Sequence, residues 1–127
     1  MGKRILLVED EKNIILGVRT CLDAVGYEVE IAENGELAME ALQRSHPDLI
    51  LLDLMLPKVN GFEVLESLKS DPETETIPVV VLTAKAEEED RQRAMGLGAD
   101  AYMTKPFKPQ ELWDLLKNYL PDDDKEQ

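Results

Sequence analysis

Five residues able to do chemistry stand where short apolar runs stop. Ile5–Val8 runs into Glu9 and Asp10, Leu49–Leu52 into Asp53, and Val79–Leu82 into Thr83. A weaker run, Ala101-Tyr102-Met103, precedes Lys105 and Pro106. Gathered at one edge, these residues offer three carboxylates, a hydroxyl and an ammonium. Crowded carboxylates raise one another's pKa, so the cluster calls for counter-charge. Lys105 supplies one unit and a divalent cation the rest. An all-oxygen donor set suits Mg²⁺, with Mn²⁺ as the alternative. A carboxylate beside such a cation can act as a nucleophile and carry a phosphoryl group. The metal and the lysine would neutralise phosphoryl oxygens, and Thr83 would hydrogen-bond another. The set therefore meets the needs of phosphoryl transfer to Asp53. A plainer role stays open, because Asp is a favoured helix N-cap. It suits Asp10 better than Asp53, which Leu54–Asn60 separate from the next helical pattern.

The elements that must position these residues follow from two alternating periods. The apolar runs are continuous, as expected of strands buried on both faces of a parallel sheet. Val29 and Ile31 alternate with Glu28 and Glu30, which suits an edge strand. Helical spacing links Val18, Cys21, Leu22 and Val25, with Gly26 as a stop. It also links Leu37, Ala38, Ala41 and Leu42 after the Asn34-Gly35 turn, and then Phe62, Leu65 and Leu68. Glu87 to about Gly96 is the most polar helical segment. The last helix opens on Pro109 and turns Leu112, Leu115, Leu116 and Tyr119 inward. Strand and helix thus alternate five times. Right-handed crossovers then place helices on both faces. The expected class is α/β: a flavodoxin-like (βα)5 doubly wound parallel sheet, strand order 2-1-3-4-5, in a single domain. Ligands in such sheets bind at the carboxyl ends of the strands, which is where the five residues stand.

Composition narrows the function. The 127 residues are 43% hydrophobic, enough for one core without disulfides. The single cysteine, Cys21, falls on an apolar face and reads as a small core residue. The net charge of −13 argues against direct nucleic-acid binding, which needs clustered Lys and Arg. No apolar run approaches the roughly 20 residues of a membrane span, and the N-terminal run is too short for a secretory core. Gly2 invites myristoylation, but Leu6 stands where that motif wants Ser or Thr. These features fit a cytoplasmic protein. The expected domain is 3–120, followed by an acidic, disordered tail, 121–127, without an apolar residue.

The residues resemble the receiver domain of two-component response regulators from Lys3 to about Leu120. The blocks are Ile5-Leu6-Leu7-Val8-Glu9-Asp10-Glu11, Asp48-Leu49-Ile50-Leu51-Leu52-Asp53-Leu54-Met55-Leu56-Pro57 and Asn60-Gly61-Phe62-Glu63-Val64-Leu65. Pro78-Val79-Val80-Val81-Leu82-Thr83-Ala84, Gly98-Ala99-Asp100-Ala101-Tyr102 and Thr104-Lys105-Pro106-Phe107 follow in order. The resemblance implies that Asp53 is the phosphoacceptor, Asp10 a direct metal ligand and Glu9 a ligand through water. It implies that Met55 offers its backbone carbonyl to the metal and that Lys105 pairs with the phosphoryl group. The Lys105-Pro106 bond is expected to be cis. Thr83 would move to a phosphoryl oxygen and Tyr102 would turn inward behind it, re-facing the fourth helix and fifth strand. The donor would be a sensor histidine kinase or a histidine phosphotransfer protein. Phosphorylation would change which output partner or output domain is bound, and the protein would not be a conventional enzyme.

The acid pair is Glu-Asp where many members have Asp-Asp, and the longer Glu suits a water-mediated role. The resemblance implies that Met55 and Lys85, two residues past Asp53 and Thr83, flank the site at positions that in this family set how fast the phosphoryl group is lost. Members that dimerise through the fourth helix, fifth strand and fifth helix usually have Asp where Ala101 stands and Arg where Leu115 stands. The expectation is therefore a monomer or a weak dimer through that face. His46 reads as a solvated turn residue, and Trp113 as a surface tryptophan or a partner contact. A Mg²⁺-dependent phosphohydrolase would want an acid where Met55 stands. A flavodoxin-type cofactor binder would want a phosphate loop where Glu9-Asp10-Glu11 would repel one. The remaining alternative is a degenerate receiver, a protein-interaction module that works without phosphorylation.

Overall fold

The structure is a computed structural model that describes residues 2–56 and 60–120. The elements, in chain order, are β1 (Arg4–Val8), α1 (Lys12–Asp23), β2 (Glu28–Ala32), α2 (Gly35–Arg44) and β3 (Leu49–Leu52). They continue with α3 (Gly61–Ser70), β4 (Val79–Thr83), α4 (Glu88–Gly96), β5 (Ala101–Thr104) and α5 (Pro109–Tyr119). All strand pairs are parallel, in the order β2-β1-β3-β4-β5. This is the flavodoxin-like (βα)5 sheet expected from the alternation of periods. The proposed tail, 121–127, lies outside the described residues.

Continuous apolar runs are needed because each central strand feeds two cores. Leu6, Val8, Ile50, Leu52, Val79 and Val81 pack on the side of α2, α3 and α4. Ile5, Leu7, Leu49, Leu51, Val80 and Leu82 pack on the side of α1 and α5. Every residue of β3 and β4 is buried, whereas β2 and β5, at the edges, are only partly so. The sheet therefore hides its central strands between two helical layers and leaves its outer strands partly exposed.

Local chemistry fixes the helix ends. Asn60 Oδ1 accepts from the Glu63 amide at 3.1 Å, and Glu63 Oε1 accepts from the Asn60 amide at 3.3 Å, a reciprocal cap on α3. Asn34 Oδ1 caps α2 through the Leu37 amide at 2.9 Å. The N-cap of α1 is Glu11, so the capping role open to Asp10 is not the one it takes.

Three side chains differ from the periodic reading. Leu37, counted on the inner face of α2, is 43% exposed because it stands at the flank of the buried face, which is made by Gly35, Ala38, Ala41 and Leu42. Val25 is 49% exposed because α1 ends at Asp23 and Val25 belongs to the turn before Gly26, whose φ is 91°. Cys21 is only partly buried beside the α1/α5 core, and burial pushes its thiol pKa up. Trp113 is half-buried, and its indole donates to the Cys21 carbonyl at 2.8 Å, which ties α5 to α1.

The opposite, amino edge is closed by Asp100. Its Oδ2 accepts from the Val79 amide at 2.8 Å and from Lys69 Nζ at 3.3 Å. Lys69 also donates to the carbonyls of Glu75 at 3.0 Å and Ile77 at 2.9 Å. Asp100→Ala would strand a buried backbone donor at the start of β4, at a cost of about 1–3 kcal/mol. Asp100→Asn keeps an acceptor and should lose less. Urea denaturation of both variants checks the order; equal losses would assign the effect to the Lys69 ion pair instead.

Candidate phosphoryl and metal site

The sheet hydrogen bonds run one step past the strands, and that step builds the site. The Glu9 amide donates to Ala32 O, the Asp53 amide to Val8 O and the Lys105 amide to Thr83 O, at 2.9, 3.0 and 2.9 Å. Side-chain alternation therefore continues through these residues. Glu9 follows Ile5 and Leu7, Asp53 follows Leu49 and Leu51, and Lys105 follows Ala101 and Met103. All of those sit on the α1/α5 side. The three charged groups therefore emerge on one side of the carboxyl edge. Thr83 follows Val79 and Val81 and emerges on the α3/α4 side, where Tyr102 also packs.

The charged groups converge. Lys105 Nζ donates to Glu9 Oε1 at 2.7 Å and to Asp53 Oδ2 at 3.1 Å. One ligand oxygen each from Glu9, Asp10 and Asp53 falls within 4.8 Å of the others. Glu9 and Asp53 are buried, and Asp10 is exposed. Backbone donors complete the pair of buried acids. The Glu11 amide donates to Glu9 Oε2 at 3.2 Å, and the Met55 amide to Asp53 Oδ1 at 3.0 Å.

The electrostatics follow from this crowding. Burial raises the Glu9 carboxyl pKa, the Lys105 hydrogen bond pulls it back, and the Asp53 charge adds to the rise. Burial works against the Lys105 ammonium, but the Glu9 hydrogen bond and the Asp53 charge outweigh it, and its pKa is raised. One monovalent cation thus serves two buried carboxylates.

Three carboxylates of hard oxygen character, one of them open to solvent, fit a divalent cation of the Mg²⁺ type better than a soft metal. No Cys or His belongs to the cluster. The Met55 side chain is 56% exposed at the rim.

Thr83 is fully buried, and its Oγ1 accepts from the Lys85 amide at 3.3 Å. The Tyr102 hydroxyl donates to the Lys85 carbonyl at 2.7 Å. The Tyr102 phenol pKa is raised, first by burial, then by the charges of Asp90 and Asp53. The Lys105-Pro106 bond is cis. The structure thus brings Glu9, Asp10, Asp53 and Lys105 together and sets Thr83 and Tyr102 around Lys85. The amide donors of Glu11 and Met55 were missed in the sequence, because a backbone N–H has no residue type to betray it. The contacts of Lys85 and Asp90 were missed because they depend on how α4 enters.

A parallel (βα)5 sheet with an acidic cluster and a lysine at its carboxyl edge has the layout of a receiver domain. The chain belongs to the response regulator receiver domain family, whose model matches residues 5–117. It is similar to the phosphate regulon transcriptional regulatory protein PhoB of Pseudomonas aeruginosa, 45% identical over 94% of this chain and 52% of that protein. The alkaline phosphatase synthesis transcriptional regulatory protein PhoP of Bacillus subtilis is also 45% identical, over 94% of this chain and 49% of that protein. The chain therefore spans about half the length of the curated relatives it matches. A response regulator from Chloroflexus aurantiacus superposes with a TM-score of 0.91 at 31% identity, covering 96% of this chain and all (100%) of that one. The receiver domain of the Pseudomonas aeruginosa sensor histidine kinase PA1611, with magnesium coordinated in its active-site cleft, gives 0.88 at 30% identity over 96% and 100% of the two chains. The Mn²⁺-bound response regulator Rcp1 gives 0.81 at 38% identity over 91% and 90%.

Proposed function

We propose that residues 3–120 form the complete receiver unit and that Asp53 is its phosphoacceptor. The observation that carries this reading is the convergence of the Glu9, Asp10 and Asp53 carboxylates within 4.8 Å, with Lys105 bridging two of them. Asp10 and Asp53 would hold Mg²⁺ or Mn²⁺ directly, Glu9 through water, and Met55 through its backbone carbonyl. The cation would neutralise charge on the phosphoryl oxygens.

The chain's own groups do the rest. An Asp53 carboxylate oxygen forms the new O–P bond as the donor's N–P bond breaks, and the donor imidazole leaves with its electron pair. The Lys105 ammonium turns from the carboxylates to a phosphoryl oxygen, and Thr83 donates its hydroxyl proton to another. Water later cleaves the acyl phosphate slowly. The protein is thus consumed and regenerated by one phosphoryl group and is not a conventional enzyme.

The donor is a sensor histidine kinase or a histidine phosphotransfer protein. PhoB and PhoP are transcriptional regulatory proteins, and a receiver of this kind would switch such an output by re-facing α4, β5 and α5 around Thr83 and Tyr102. That face would serve a monomer or a weak dimer. Direct nucleic-acid contact by this chain is disfavoured by its net charge of −13. No helix among the described residues is long and apolar enough to cross a membrane, and the proposed setting is cytoplasmic.

Intact-mass spectrometry after incubation with acetyl phosphate and Mg²⁺ tests the reading. One phosphoryl adduct is expected, absent with EDTA and absent in Asp53→Asn. An adduct that persists in Asp53→Asn would move the acceptor elsewhere, and no adduct from either acetyl phosphate or a phosphorylated kinase would refute the function.

A further inference from the structure

Met55, just past β3, is the one methionine among the described residues that stands clear of the cores. It is 56% exposed, whereas Met39, Met95 and Met103 each pack against one of the two buried clusters. The other sulfur, Cys21, is partly buried beside α5, and burial raises its thiol pKa. Little of it is then the thiolate, the form that oxidants attack. A dilute oxidant in solution therefore meets the Met55 thioether first.

Oxidation there acts on the site because of where the side chain is rooted. The Met55 amide donates to Asp53 Oδ1 at 3.0 Å. The N–Cα bond adds about 1.5 Å, so the Met55 Cα lies within about 4.5 Å of that carboxylate oxygen. Methionine is unbranched and has three rotatable bonds, so its sulfur reaches the space beside the carboxylate as well as bulk water. A thioether is only a weak hydrogen-bond acceptor. A sulfoxide is polar and presents an oxygen.

We propose that Met55 is an oxidation site for hydroperoxides and that its sulfoxide shortens the life of a phosphoryl group on Asp53. The second half rests on the phosphoacceptor reading above. A sulfur lone pair takes one oxygen of hydrogen peroxide and the O–O bond breaks. The departing hydroxide collects the proton of the transferred oxygen and leaves as water. Sulfur is oxidised by two electrons and the peroxide is reduced by two. The new oxygen accepts a hydrogen bond from water and holds it close to the acyl phosphate, where hydrolysis needs it. Reduction of the sulfoxide reverses the change.

The test has two readings. Protein treated with limiting hydrogen peroxide, then with catalase, is digested and mapped by mass spectrometry. Met55 should carry the sulfoxide before Met39, Met95, Met103 or Cys21 is modified. Oxidised and untreated proteins are then phosphorylated with acetyl phosphate and Mg²⁺, freed of donor and followed by intact mass. Phosphoryl loss should be about two- to ten-fold faster in the oxidised protein, the worth of one hydrogen bond. Methionine sulfoxide reductase should restore the slower rate. Met55→Leu, compared with itself before and after peroxide, should show no such difference. Earlier oxidation of another of those sulfurs, loss at an equal or slower rate after oxidation, or the same acceleration in Met55→Leu would each overturn the role while leaving Asp53 as acceptor. No adduct on the untreated protein, from acetyl phosphate or from a phosphorylated kinase, would overturn the acceptor reading and the lifetime effect together.

Discussion

Lys105→Met will destabilise the metal-free protein by about 3–5 kcal/mol, because it leaves buried charge uncompensated. The side chains of Glu9, Asp53 and Lys105 are 1%, 6% and 10% exposed, so solvent screens them weakly. Methionine matches the lysine stem in volume, so lost packing contributes little. The pH dependence has a definite sign. The Lys105 pKa is raised in the fold, so its contribution is complete below the ordinary lysine value and lost as pH rises through the folded one. The Glu9 pKa is also raised, so the fold favours its protonated form. The deficit in Lys105→Met should therefore shrink as pH falls through the carboxylate range. Divalent cation should shrink it too. The ammonium and the metal compete for the same carboxylates, so Mg²⁺ should bind the variant more tightly than the wild type. Urea unfolding in EDTA at two pH values, followed by a Mg²⁺ titration, reads all three effects. A loss under about 1 kcal/mol, typical of a surface pair, would show that the acids are compensated elsewhere.

Gly61→Ala should cost about 1–3 kcal/mol and slow phosphoryl uptake, although Gly61 touches no charged group of the site. Gly61 opens α3, and its amide donates to Leu54 O at 3.1 Å. That contact draws the helix start onto the backbone just past Asp53. A Cβ there would fall on Leu54 Cα and lie 2.5 Å from the Asp53 carbonyl oxygen. Both obstacles are backbone, which cannot rotate away, so the helix or the Asp53–Leu54 segment must shift. Alanine's better helix propensity offsets at most about 1 kcal/mol. A shift of Asp53 would also disturb the Met55 amide on its Oδ1. Denaturation midpoints and uptake rates measured together decide the matter. A variant as stable as wild type would mean that the close approach relaxes at no cost.

The sequence by itself determined the fold class, the strand order and the chemical types at the carboxyl edge. The physical reason is periodicity. Leu49–Leu52 and Val79–Leu82 lack a polar alternate position, so they must be covered on both faces, and five βα units with right-handed crossovers leave few arrangements. Even the edge position of β2 was legible, in Glu28 and Glu30. The same reasoning failed where an element ends or where a residue stands at the flank of its buried face. Val25 lies past the end of α1, and Leu37 lies beside the buried face of Gly35, Ala38, Ala41 and Leu42, because periodicity records spacing and not the extent of the opposing surface. Asp10 could equally cap α1 or face the cluster until the helix began at Lys12 with Glu11 as its cap.

Only the tertiary structure decided which charge meets which. The sequence placed one lysine and three acids near one edge. The single step of sheet pairing beyond β1, β3 and β5 turned Glu9, Asp53 and Lys105 to one side, and Lys105 then bridged the two buried acids. The same holds for the backbone donors on Glu9 and Asp53, for the need for glycine at position 61, and for the meeting of Thr83, Tyr102 and Asp90 at Lys85. Each depends on ångström distances between segments far apart in the chain. Residue types and spacings constrain which contacts are chemically sensible, and the packing of two helical layers on one twisted sheet selects among them.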